Sequence, residues 1–98
     1  MTINQERDGE KLTFKLEGRL ETTTAPELEA AVREGLDGIT EFGLDLEKLE
    51  YLSSAGLRVI LAAQKRMNRQ GKMVVRHVNE TIMEVFEITG FVDILTIE

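Results

Sequence analysis

The chain has no cysteine, one histidine, one proline and only 12 lysines and arginines against 18 aspartates and glutamates over 98 residues. Without cysteine there is no disulfide framework and no thiolate metal site. With His77 as the single histidine, a zinc site would have to rest on carboxylates, which is unusual for structural zinc. A serine–histidine triad also lacks supporting residues: no G-x-S-x-G elbow surrounds any serine. The formal net charge of −6 argues against direct nucleic acid binding, because phosphate backbones demand a basic face. No apolar run approaches the ~20 residues that span a bilayer, so no membrane insertion is expected. The start Met1-Thr2-Ile3-Asn4-Gln5-Glu6 has neither the basic opening nor the apolar core of a signal peptide. A soluble cytoplasmic protein is the expectation. There is no P-loop and no G-x-G-x-x-G, so no cofactor is expected. No repeat, low-complexity segment or linker divides the chain, which reads as a single domain over residues 1–98.

What is present is 42% hydrophobic residues, enough for one small core. A domain of this size buries roughly 60–70% of the surface its unfolded chain exposes. Asp8-Gly9 is a turn dipeptide followed by Leu12, Phe14 and Leu16 in alternation, predicting a hairpin with Ile3–Arg7 as an edge strand. Gly18 to Thr23 reads as a loop. Thr24 and Glu27 have capping-box spacing, Pro26 suits a first helical turn, and Leu28, Ala31, Val32 and Leu36 share one helical face up to a stop near Gly38. A strand is predicted over Phe42–Leu46, then a connection from Glu47 to Leu52. A helix from about Ala55 to Gln70 carries Leu57, Ile60, Leu61 and Met67, interrupted by Gln64, with Gly71 as its stop. Lys65, Arg66 and Arg69 lie in its last turns, where cations complement the helix dipole. Met73, Val74, Val75 and Val78 form a short strand region. Asn79 is a candidate N-cap for a third helix with Ile82, Val85, Phe86 and Thr89 inward and Gly90 at its end. Val92, Ile94, Leu95 and Ile97 read as a final strand. The order ββαβαβαβ predicts an α/β fold, a mixed sheet with parallel pairs and amphipathic helices.

The chemistry concentrates at Tyr51-Leu52-Ser53-Ser54-Ala55-Gly56-Leu57, where a strand gives way to a helix. Serine is a favoured N-cap, and the orphan amides there also favour an anion. An ordinary serine cap accounts for the pair equally, and is the commoner case. Ala55 and Gly56 add little bulk, which on sequence grounds lets another molecule approach the backbone. His77 lies in or just after a strand and reads as a surface or edge residue. Asp45 and Glu47 read as solvated carboxylates. Nothing assembles a nucleophile, a base and an oxyanion hole, so the chain is not expected to be an enzyme.

The run Asp45-Leu46-Glu47-Lys48-Leu49-Glu50-Tyr51-Leu52-Ser53-Ser54-Ala55-Gly56-Leu57-Arg58 resembles the signature of STAS domains, closest to the bacterial anti-sigma factor antagonists. Gly18-Arg19-Leu20-Glu21, followed by Thr24-Ala25, matches a second family feature, and the element order fits the family across the chain. The resemblance implies that Ser54 is phosphorylated by an anti-sigma factor with serine kinase activity. The unphosphorylated form would bind that factor and release its sigma factor, and a serine phosphatase would reverse the modification. Two positions depart from the family: Ser53 stands where relatives often carry aspartate, and so does Glu21. Other STAS domains are never phosphorylated and serve as scaffolds in transport or sensory complexes; in that case Ser54 would be only a cap.

Both the serine junction and the Gly18–Thr24 loop follow a strand and precede a helix, so they can meet at one end of the sheet. The expected partner surface is therefore Glu21, Thr22, Thr23, Ser53, Ser54, Ala55, Gly56 and Arg58, with Glu21 and Arg58 as charged contacts. Ser53 is expected to cap the helix and Ser54 to accept phosphate. Ser53 follows Leu52, an expected core anchor, whereas Ser54 is followed by the small Ala55-Gly56 pair.

Overall fold

The structure, a computed structural model, describes residues 1–98. Four strands lie in the order β1-β2-β3-β4: β1 (Thr2–Asp8), β2 (Lys11–Leu20), β3 (Glu41–Leu52) and β4 (Lys72–Arg76). β1 and β2 form the expected antiparallel hairpin, while β2, β3 and β4 run parallel. Of three helices, α1 (Ala25–Gly35) and α2 (Ser54–Gln70) supply the crossovers between the parallel strands, and α3 (Glu80–Thr89) follows β4. Their apolar faces meet one face of the sheet in a single cluster that includes Phe14, Leu20, Phe42, Leu46, Leu57, Ile60, Met67 and Phe86. The other face carries Lys11, Thr13, Lys15 and Arg19 of β2 in register with Glu41, Gly43, Asp45 and Tyr51 of β3. Cross-strand ion pairs link it: Glu41 meets Lys11 at 3.7 Å and Lys72 at 3.3 Å, and Lys15 meets Glu6 at 3.2 Å. The fold is thus the expected α/β mixed sheet with amphipathic helices. No helix is long and apolar enough to cross a membrane.

Several expectations need correction. β3 does not stop at Leu46. It continues to Leu52 through two irregularities: Lys15 and Glu17 pair with Asp45 and Lys48, and Gly18 and Arg19 pair with Leu49 and Tyr51. Each inserts one extra residue into β3, as a β-bulge does. Leu46, Leu49 and Leu52 are all buried in consequence, at a spacing that strict alternation does not reproduce. Gly18, Arg19 and Leu20 belong to β2 rather than to a loop, because the extended β3 gives them partners.

Thr24 and Glu27 form no capping box. The Thr24 hydroxyl donates to the Arg19 carbonyl (2.8 Å) and accepts from the Glu21 amide (2.9 Å), so it closes the β2–α1 turn instead of capping α1. α1 ends earlier than expected, at Gly35 with Leu36 as its C-cap; Gly38 sits in the following turn at φ +76°. Thr89 is exposed, not inward, and its hydroxyl donates to the Val85 carbonyl at 2.6 Å. Arg66 does more than complement a dipole, reaching Asp37 at 2.6 Å.

The final strand is absent. Gly90 takes a left-handed φ of +79°, and Phe91–Asp93 wind into a short 3-10 turn that stacks Phe91 on Phe86 with centroids 6.3 Å apart. The Leu95 amide donates back to the Phe91 carbonyl at 2.9 Å and Leu95 is buried. The helical spacing of Phe91 and Leu95 therefore prevails over the alternation of Val92, Ile94 and Ile97. Only a bridge between Val75 and Ile97 remains. The observed order is ββαβαβα.

Candidate functional site

The Ser53 amide donates to the Leu20 carbonyl at 2.9 Å, which ties the start of α2 to the end of β2. Ser53 is extended (φ −95°, ψ 173°), and its Oγ accepts from the Gly56 amide at 3.4 Å. Its carbonyl accepts from the Leu57 amide at 3.0 Å. Ser53 is thus the N-cap, satisfying one of the orphan donors of the first turn. Ser54 is the first helical residue, one position earlier than the expected start, and is exposed. Because the capping hydroxyl belongs to Ser53, that of Ser54 is free of the helix's own hydrogen bonding.

Gly56 does not serve the purpose expected of it. It is buried, and a Cβ there would lie 2.6 Å from Leu20 Cγ and 2.8 Å from Leu52 Cδ1. Its small size seats α2 on two core leucines rather than opening the backbone to a partner. Ala55 is half-buried, and between Ser53 and Arg58 only Ser53, Ser54, Ala55 and Arg58 reach solvent. Arg58 lies one turn after Ser54, on the same side of the helix.

The β2–α1 turn comes alongside, with Thr22 and Thr23 exposed and Glu21 half-buried. A shallow groove of about 200 Å³ separates the two elements, with Thr22, Ala25 and Pro26 on one wall and Ala55, Arg58 and Val59 on the other. Glu21 is not a free charge. Arg19 Nε lies 2.9 Å from its carboxylate, and the Arg19 guanidinium sits over the Tyr51 ring, 4.3 Å from the centroid. Arg19 and Tyr51 are residues that sequence reasoning missed as site members. The signal was an exposed aromatic beside the serine pair, but the bulges of β3 hid which face it occupied.

His77 stands apart from the serines. It follows β4 with φ +57° and its Nδ1 lies 3.1 Å from Asp45 and 4.0 Å from Glu47. Burial raises the Asp45 carboxyl, but the bond donated by the Glu47 amide and the adjacent His77 outweigh it and hold the group below the usual aspartate range. The three side chains place ligand atoms within 4.8 Å of one another, which could in principle hold a divalent ion. Glu47 and His77 are nonetheless open to solvent, and the contact of His77 Nδ1 with the Asp45 carboxylate is enough to hold the cluster together. No histidine or carboxylate is hydrogen-bonded to Ser53 or Ser54; the Ser53 hydroxyl is engaged with the Gly56 amide.

Residues 3–96 match the family described as Mlab, STAS domain. The chain is 35% identical over 99 residues to BtrV of Bordetella bronchiseptica, covering 99% of this chain and 85% of that protein. It is 32% identical to the anti-sigma-B factor antagonist of Listeria monocytogenes, over 96% of this chain and 84% of the relative. Among solved structures, the anti-sigma factor antagonist SpoIIAA in its unphosphorylated form superposes with a TM-score of 0.75 at 17% identity, covering 99% of this chain and 87% of that one. The phosphorylated form of Bacillus SpoIIAA gives a TM-score of 0.69. At that identity the likeness shows a shared fold.

Proposed function

This chain belongs to the STAS domain family, and from that membership we propose that it is a single-domain anti-sigma factor antagonist of the cytoplasm, switched by phosphorylation of Ser54. In its unphosphorylated form it binds an anti-sigma factor with serine kinase activity and frees the sigma factor. Phosphorylation ends that binding and a serine phosphatase restores it. The relatives named as anti-sigma-B factor antagonists support the role. The observation that carries the switch is the division of labour at the junction: Ser53 caps α2, and Ser54 stands exposed with an uncommitted hydroxyl.

The physics of that position suits a binding switch. A phosphoserine adds about −1.5 to −2 charges at neutral pH. At a helix N-terminus such a charge gains ~0.3–1 kcal/mol from the dipole, and Arg58 one turn on is a cation for it. The fold therefore tolerates the phosphate, and its effect falls on the partner. A new charge facing an acidic group ~4 Å away costs roughly 1–4 kcal/mol at surface dielectrics, or about tenfold in affinity for each 1.4 kcal/mol. The binding face comprises Glu21, Thr22, Thr23, Ser53, Ser54, Ala55 and Arg58, with Arg19 and Tyr51 added and Gly56 beneath it.

The test is incubation with ATP and a cell extract, then mass spectrometry of the junction peptide, with binding of the anti-sigma factor measured in parallel. Phosphate on Ser54 and loss of binding on its addition are expected. If no phosphate appears on Ser54 while the chain sits stably in a larger complex, the scaffold reading replaces the switch. Labelling of native Ser54 by a serine-reactive probe would instead point to an enzyme.

A further inference from the structure

We propose that the free edge of β1 pairs antiparallel with β1 of a second copy of this chain, joining two sheets of four strands into one continuous sheet. The two edges of the sheet are treated differently. Beyond β4 the chain's own tail closes the edge: the Val75 amide donates to Thr96 at 2.8 Å and the Glu98 amide to Val75 at 2.9 Å. Nothing lies outside β1, a strand of seven residues without proline and in unbroken register with β2. Edge strands of that length are normally blunted by bulges, prolines, charged side chains or a covering segment; β1 has charges at Glu6, Arg7 and Asp8 and none of the other three.

A groove of about 610 Å³ runs beside this edge, with Ile3, Gln5 and Arg7 on the strand side and Glu27, Ala31 and Glu34 on the α1 side. Arg7, Glu27 and Glu34 line it together, yet none joins an ion pair within the chain. Arg7 uses only Nε, donating to the Gly9 carbonyl at 3.0 Å, which leaves both Nη groups available.

Self-pairing has one natural register. Side chains alternate, so Ile3, Gln5 and Arg7 must face Ile3, Gln5 and Arg7 of the other copy. The two-fold arrangement that pairs all seven residues of the strand sets Gln5 opposite Gln5, Ile3 opposite Arg7, Asn4 opposite Glu6 and Thr2 opposite Asp8. No like charges then stand opposite. Moving the centre one residue towards the C-terminus would set Glu6 against Glu6, which is unfavourable, and moving it one residue towards the N-terminus would centre on Asn4 and leave Arg7 and Asp8 without strand partners.

The same register answers the unpaired charges. Arg7 pairs with Leu12 in the hairpin, and the C-terminal end of α1 lies there too, since a Cβ on Gly35 would be 3.3 Å from Leu12 Cδ2. Ile3 therefore marks the opposite end of the groove, towards Glu27 and the start of α1. Placed opposite Ile3, the second copy's Arg7 enters the groove at Glu27. An unrelated strand would need a cation at that one position; a second copy brings it. The serine site lies outside the groove, so a dimer presents two exposed Ser54 residues, and the pairing stands whether or not they are phosphorylated.

Sedimentation equilibrium of the full chain from micromolar to millimolar concentration tests this. A concentration-dependent dimer is expected. Gln5→Lys and Gln5→Glu each set like charges opposite at the two-fold axis and should weaken self-association about fivefold. An equimolar mixture of the two variants should restore it as a heterodimer. Thermal unfolding by circular dichroism checks that both variants keep the monomer fold. A wild-type chain that stays monomeric throughout overturns the proposal. A dimer that ignores residue 5, or a mixture no tighter than either variant alone, overturns it equally.

Discussion

The two ends of α2 look alike in sequence and work in opposite ways. Each has a glycine with no room for a side chain. At the N-terminal end Gly56 is pressed against Leu20 and Leu52, which are side chains. At the C-terminal end a Cβ on Gly71 would fall almost onto the Thr40 carbonyl oxygen, which is backbone. What Gly71 lacks is space for a side chain. The far end is further sealed by Gln70, whose amide donates to the Leu36 and Ile39 carbonyls at 2.7 Å each. The near end keeps its capping local to Ser53 and leaves Ser54 in water. A helix anchored at its far end can present its near end to a partner without shifting when that end changes charge.

Substitutions that grade the two ends should follow that contrast. Gly71→Ala should be the most damaging, at about 3 kcal/mol or more, because backbone cannot move aside by changing rotamer. Chemical denaturation measures it, and a loss below that of Gly56→Ala would reverse the account of the two ends. Gly56→Ala should cost about 1–3 kcal/mol, since Leu20 and Leu52 can partly repack. It should also weaken anti-sigma factor binding by displacing the start of α2, an effect Gly71→Ala should lack once both are compared in the folded state.

Ser53→Ala should cost about 1 kcal/mol through loss of the cap, while Ser53→Asp, which can accept the same Gly56 amide, should restore most of it. Phosphate transfer to Ser54 should persist in Ser53→Ala. Ser54→Ala should have the smallest effect on stability, within about 0.5 kcal/mol, as for an exposed position with no structural bond. It should nevertheless abolish phosphorylation and keep the protein competent to bind. Full phosphorylation of Ser54→Ala on Ser53 would exchange the roles of the two serines.

The covered half of the molecule was readable where one periodicity ran unbroken. Leu12, Phe14 and Leu16 announced β2, and Leu28 with Val32 announced α1. Asn79 was readable as a cap and is one, accepting from the Ile82 amide at 2.9 Å and donating to the Leu49 carbonyl at 2.8 Å. Reading failed where two patterns overlapped. The bulges of β3 turned alternation into a spacing of three, and at the C-terminus the helical pair Phe91 and Leu95 overrode a strand-like run. Thr24 met a local competition that spacing does not report, since its hydroxyl oxygen accepts from the Glu21 amide rather than from an amide of the helix it precedes.

At the site, residue order alone placed Ser53 and Ser54 at a strand-to-helix junction, because an apolar strand, a small polar pair and a helical stripe in succession allow little else. Local chemistry also divided the serines, one capping and one free, since a cap is a bond between near neighbours in the chain. Everything that depends on contact across the fold was decided by tertiary structure: that Gly56 faces inward onto Leu20, that Arg19 is held by both Glu21 and Tyr51, and that the β2–α1 turn stands beside Arg58. A single glycine or arginine carries no mark of what it will pack against. That is set only when parallel strands bring distant segments into register.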